Sequence, residues 1–179
     1  MRKKFRRVVT GNGENGKSQV IFDGEPPVIL KTDARPGHTM MGFWETRSMP
    51  ANNEGNEEAY DHEYSLLPPK NGTHTGIIIF PPEDPEVLKK VDRRAAFGAM
   101  QAAEMLVPDE EAVHPYMHAT PTVDYIFVLS GEIYLILEKE EVHLKTGDAV
   151  IQRGTVHAWS NRGTEPCALI GVMIDAGLP

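Results

Sequence analysis

The sequence predicts an all-β protein, a sandwich or barrel, interrupted by one helical insertion. Three observations predict it. From residue 116 onward, β-rich runs follow one another at short spacing. Turn signals separate them at Ser130-Gly131, 138–141, Thr146-Gly147, Arg153-Gly154 and 161–166. Residues 5–80 are likewise strand-like runs broken by turns. Only residues 84–106 have helical character.

The N-terminal stretch GNGENGKS, residues 11–18, matches the phosphate-loop pattern G-x-x-x-x-G-K-S. That pattern holds phosphate only where a strand leads into it and a helix follows at once. Here Val20, Ile21 and Phe22 favour a strand, and Gly24, Pro26 and Pro27 stop any helix. Two strand-like runs around a Gly/Asn-rich loop predict a β-hairpin, not a nucleotide site. Residues 40–48 form an aromatic-bearing strand. The acidic stretch 50–64, which includes His62, predicts a long solvated loop rather than a metal site. THTGIIIFPP, residues 73–82, is a buried-type strand ended by prolines. In 84–106, Asp84 caps, Pro85 suits the first helical position and Glu86 suits the positive end. Leu88, Val91, Ala95, Ala99 and Leu106 approximate one apolar face, with Gly98 a point of division. Met100 and Met105 read as core packing. The expected organisation is one domain over 1–179: N-terminal strands and loops (1–82), the insertion (84–106) and a motif-bearing core (114–174).

A chain of 179 residues with 40% hydrophobic and 25% charged residues buries an adequate core. A net charge of −8 disfavours binding to nucleic acid or anionic membranes. The basic cluster at residues 2–7 reads as a solvated terminus. No apolar run reaches the length of a membrane span, and no apolar signal core begins the chain. The single cysteine, Cys167, excludes an internal disulfide, so a cytoplasmic location is the default expectation. The sequon at Asn71 reads as a turn.

Chemistry concentrates in HPYMHATPTVDYIFVLSGE, residues 114–132, and GDAVIQRGTVHAWSN, residues 147–161. In an extended strand His114, Tyr116 and His118 share one face. Asp124 opens the next strand and His157 follows the turn at Arg153-Gly154. Imidazoles and a carboxylate from different strands are the ingredients of a mononuclear site for Fe, Mn, Ni or Zn.

These two stretches resemble the paired motifs of the cupins. Asp124, six residues and Gly131 are similar to the end of the first motif. Gly147, Gly154, His157 and Asn161 are similar to the second. The resemblance implies a double-stranded β-helix, the jelly-roll barrel, usually dimeric. The phrases MHATPTVDYIFVLSGEI and IQRGTVHAWSNRGTEPC also resemble a subgroup of small single-domain cupins, some from secondary-metabolism pathways. The departures are specific. His114 and His118 are separated by three residues rather than one. Asp124 replaces the usual glutamate, and the second motif is one residue short before Gly154. Such a site could hold a divalent metal through His118, Asp124 and His157, recruit His114 as a fourth ligand, or have lost metal. The resemblance then implies a metal-dependent enzyme on a small organic substrate, foremost an oxidoreductase of dioxygenase type. A lyase, isomerase or decarboxylase could use the same metal. The rival readings are a non-catalytic ligand-binding barrel and a metal-independent sugar epimerase using His118, Asp124 and Tyr134. Tyr116, Tyr125, Tyr134, Gln152 and Trp159 are the candidates for a pocket wall, while His38, His62, His74 and His143 receive no site role.

Overall fold

The computed structural model describes residues 5–177. Its strands are β1 (Arg7–Asn12), β2 (Ser18–Gly24), β3 (Val28–Leu30), β4 (Thr39–Thr46), β5 (Thr73–Phe80), β6 (Thr122–Ser130), β7 (Glu132–Leu137), β8 (Glu141–Lys145), β9 (Ala149–Arg153), β10 (His157–Ser160) and β11 (Cys167–Asp175). All named pairings are antiparallel. A six-stranded sheet runs β3-β4-β5-β11-β6-β9, and a three-stranded sheet runs β10-β7-β8. The chain crosses between the sheets repeatedly, as a double-stranded β-helix requires. Phe80, Val128, Cys167 and Leu169 from the larger sheet meet Ile133, Leu135, Leu144 and Trp159 from the smaller one in a core between the sheets. Among the described residues no helix is long and apolar enough to cross a membrane.

The phosphate-loop match folds as the hairpin the sequence predicts. β1 pairs with β2, Gly13 N–H donates to the Lys17 carbonyl at 2.9 Å, and Gly16 takes φ 71°. The basic N-terminal cluster needs correction in part. Arg2, Lys3 and Lys4 lie outside the described residues, but Arg7 is buried. Its guanidinium donates twice to Glu58, at 2.8 and 2.6 Å, and to the Phe43 carbonyl at 2.9 Å. This fork ties the hairpin to the acidic loop.

The insertion is not one helix. It forms α1 (Pro85–Leu88), α2 (Arg93–Gly98) and a 3-10 turn (Ala103–Met105). Asp84 caps α1 as expected. One break falls at Asp92, whose carboxylate accepts from Ala95 N–H at 2.9 Å and starts a second helix, and that helix ends at Gly98, the expected point of division. An aspartate satisfies free helical N–H groups better as a cap than within a helix. The buried face is Ala96, Phe97, Met100 and Ala102, and Ala95 faces outward. A separate 3-10 turn at Asp109–Glu111 was not foreseen. Arg93 holds the segment in place by donating to the carbonyls of Pro115 and Val107 at 2.7 and 2.9 Å. The insertion thus packs against the core, with Phe97 fully buried and on the wall of the cavity described below.

Three glycines stand opposite one another across the larger sheet: Gly42 on β4, Gly76 on β5 and Gly171 on β11. The Tyr60 ring fills the space where a Gly42 side chain would be, 2.5 Å from its ideal Cβ position.

Candidate functional site

His118 lies outside the named strands, yet it pairs with β10. His118 N–H donates to the His157 carbonyl at 3.0 Å, and His157 N–H donates back at 2.9 Å. Directly opposed residues of an antiparallel pair point to the same side. The two imidazoles therefore stand together, ring centroids 4.4 Å apart. Each ring has a fixed tautomer. His118 Nδ1 is 2.9 Å from the Tyr116 carbonyl, and His157 Nδ1 is 2.9 Å from the Thr155 carbonyl. A carbonyl only accepts, so Nδ1 carries the proton in both and the lone pair is on Nε2. Burial holds both rings neutral, His118 well below its ordinary pKa and His157 down to about 4.

The facing wall is the larger sheet. Asp124 on β6 is opposite Met173 on β11, which is opposite His74 on β5. These three share a face with Gly76 and Gly171, and all five line one cavity with His118 and His157. Asp124 is 3% exposed, and its Oδ1 has no hydrogen-bond partner. Burial, opposed by a hydrogen bond from Thr122, pushes its carboxyl up to about 6. The cavity holds about 80 Å³, several times the ~10–15 Å³ that one water needs. Its walls are otherwise largely apolar, with Ile78, Phe80, Phe97, Trp159 and Leu169 among them.

His118, Asp124 and His157 are thus gathered around one space. His114 is not. Its Nε2 is 3.0 Å from Glu83 Oε1, and it is absent from the cavity wall. Burial works against ionisation of Glu83, but hydrogen bonds from His114 and Ser160 hold its carboxyl below the usual range. Counted from His118, the first motif keeps its period: His118, one residue, Thr120, three residues, Asp124, six residues, Gly131. Thr120, which lines the cavity, then occupies the second histidine position. Its hydroxyl lies 2.7 Å from that of Thr122. The alternation from His118 to Thr120 was the signal for it, masked by the nearer match to a second histidine at His114.

The metal suggested by the motifs can be tested against the donors present. Two neutral imidazoles with Nε2 lone pairs and an orphaned, buried carboxylate oxygen suit a divalent cation in type. Among the described residues, however, no three His, Cys, Asp or Glu side chains converge closely enough to hold one. The donors fit in kind, and they line the cavity without closing on a common point.

The other pocket candidates divide. Trp159 lines the cavity, and Tyr116 is buried beside it. Tyr125 is 43% exposed on the outer face. Tyr134 stacks on His143, centroids 4.5 Å apart, away from the cavity. That placement removes the acid the epimerase reading needed. Gln152 is buried, and its amide donates to the Thr155 carbonyl at 3.3 Å. His74 and Arg35 are among the other wall residues that the sequence does not mark. His74 lies in a strand with no motif around it. Arg35 lies in the connection between β3 and β4, and nothing in its flanking residues marks it as buried. Its guanidinium carbon sits 4.4 Å from the Tyr116 ring centre, 5.6 Å from Phe97 and 5.9 Å from Phe80. Burying a cation without a carboxylate partner costs on the order of several kcal/mol, and cation–π contacts return roughly 0.5–2 kcal/mol each.

The chain is similar to several known proteins. Residues 103–174 match the Cupin domain family. A 47-residue stretch is 53% identical to phomopsin biosynthesis cluster protein C' of Diaporthe leptostromiformis, covering 26% of this chain and 25% of that one. Thus only a quarter of that relative's length is spanned. The cupin-domain-containing oxidoreductase fogC of Aspergillus ruber is 25% identical over 181 residues, covering 94% of this chain and 71% of that protein. A cupin of known structure from Methanocaldococcus jannaschii, with a double-stranded β-helix fold, is 14% identical with a TM-score of 0.38, covering 57% of this chain and 70% of that one. The motif spacing and the family match converge on residues 103–174 as a cupin domain.

Proposed function

We propose that this cupin is an oxidoreductase that holds a divalent metal in the barrel cavity and acts there on a small organic substrate. The observation that carries the reading is the paired tautomer of His118 and His157. Both donate Nδ1–H to backbone carbonyls, both stay neutral with a free Nε2 lone pair, and both line a cavity whose wall also includes Asp124 with its orphaned Oδ1. The similarity to fogC along nearly the whole chain supports the oxidoreductase class.

His118, His157 and Asp124 would hold the metal. The bound cation would polarise a substrate oxygen and, if redox-active, exchange electrons with the substrate. The chain's own contribution is positioning and exclusion. The Tyr116 and Thr155 carbonyls fix the two rings. Phe97, 4.8 Å from the His118 ring, shields that side from water. The dimer implied by the family resemblance is supported by an exposed apolar outer face, where Tyr125 on β6 pairs with Ile151 on β9 beside Phe127.

Elemental analysis of protein purified without chelator or histidine tag tests the reading, beside His118→Ala and His157→Ala. The expected result is near one equivalent of iron, manganese, nickel or zinc, lost in both variants. A folded wild type that takes up none of the four on reconstitution refutes it.

A further inference from the structure

We propose that Arg35 anchors a carboxylate on the cavity's ligand, so that the substrate is a small carboxylic acid. The assignment of that ligand as a substrate rests on the metal-dependent reading above; the anion site itself does not.

Arg35 is 5% exposed, and its guanidinium faces the same cavity as His118, His157 and Asp124. Among the described residues no carboxylate forms an ion pair with it. Its partners are neutral: the Tyr116 side chain and the Met100 sulfur, a weak acceptor 3.5 Å from Nη1, while Nε has no partner. Burial pulls the group below its ordinary pKa, yet a guanidinium remains charged. Among the described residues the only acid on the cavity wall, Asp124, keeps an unpartnered oxygen of its own. Two buried groups of opposite sign thus share one enclosed space without satisfying each other. A structural arginine of the core would be expected to carry a carboxylate or carbonyls on its N–H groups. An arginine awaiting a ligand has the pattern seen here: its guanidinium is packed against aromatic rings, its contacts are neutral, and Nε is left open.

The missing partner is specified by its chemistry. A flat fork of N–H donors matches a carboxylate in two parallel hydrogen bonds. Among the described residues Arg35 is the sole Lys or Arg on the wall, so the site neutralises one negative charge, which suits a carboxylate rather than a phosphate. Apolar neighbours such as Ile78, Leu169 and Met173 exclude water and strengthen the pairing. A ligand held by its carboxylate at Arg35 directs the rest of its length toward the imidazole pair.

The test uses the full chain, metal-free and metal-loaded, with acetate, succinate and benzoate beside acetamide, succinamide and benzamide. Thermal shift and calorimetry read binding to wild type, Arg35→Met and Arg35→Lys. At least one acid is expected to bind wild type while its amide does not. Arg35→Met should weaken that acid roughly tenfold to a hundredfold, with Arg35→Lys in between and metal content unchanged. Equal binding of acid and amide, no binding of any acid, or unchanged affinity in Arg35→Met overturns the proposal. If Arg35→Met does not fold, Arg35→Lys and the acid–amide comparison on wild type decide. A protein that binds acid but no metal refutes the metal reading alone. One that binds metal but no acid refutes this proposal alone.

Discussion

Lowering the pH from near 7.5 to near 4.5 drives a proton toward His74, and His74→Leu isolates what that proton costs the fold. His74 is 3% exposed on β5, between Glu45 on β4 and Met173 on β11. The rings of Tyr60 and Tyr64 stand edge-on to it at 5.3 and 5.6 Å, and its Nδ1 has no partner. Burial first, and the nearby charge of His62 second, lower its pKa from 6.5 to about 4. The other titratable groups around it are Glu45, which is paired to Arg47 and His62, and Arg35 and Asp124 on the same cavity wall. The sign follows from linkage. The unfolded chain binds the proton more tightly, so the native state loses stability as pH falls below the unfolded value of 6.5. The loss is complete once pH passes below the folded value of about 4. At pH 4.5 the two values give a penalty of about 2.5 kcal/mol from this one ring, against almost none at pH 7.5. His118 and His157 add acid sensitivity of the same sign, but they do so in parent and variant alike. Urea unfolding at both pH values is the assay. The parent should lose about 2.5 kcal/mol more than His74→Leu across that interval. Parallel stability–pH curves for the two proteins would show that His74 is already protonated or solvated in the native state, and would refute the reasoning.

Phe97→Ala removes a fully buried ring that touches His118, Tyr116 and Arg35; thermal unfolding should show a loss of roughly 3–5 kcal/mol. Gly42→Ala drives a methyl group into the Tyr60 ring, which is 1% exposed; a loss of about 1–3 kcal/mol is expected by urea melt, partly restored in the double variant with Tyr60→Leu. Cys167 is fully buried and burial lifts its thiol to about 11; a thiol reagent at neutral pH should label it only after denaturation.

The strands of the second half were legible because their turns are marked: Gly131, Gly147 and Gly154 all adopt positive φ, where glycine is favoured. Asp84 likewise announced the start of a helix. The break at Asp92 was harder to foresee, since an aspartate reads equally as the exposed face of a longer helix. In the site, His118, Asp124 and His157 were recoverable from spacing because neighbouring strands bring motif positions together. Arg35 and His74 were not. Their roles depend on which strands become neighbours and on what the insertion covers, and neither sequence context carries that information. Arg7 was misread for the same reason, because Glu58, the residue that makes it structural, is 51 positions away.

The row of glycines across the larger sheet makes the chamber's calibre adjustable at one place only. An added methyl at Gly76 would meet the Met41 carbonyl oxygen at 2.2 Å, and one at Gly42 would meet Tyr60. At Gly171 the nearest atom would be Ile126 Cγ1 at 3.7 Å, an ordinary contact. Residue 171 can therefore serve as a gauge. Alanine there trims the chamber by one methyl while the strands keep their register, and valine trims it further. Substitution at this single position offers a route to variants that accept only shorter molecules on an unchanged scaffold.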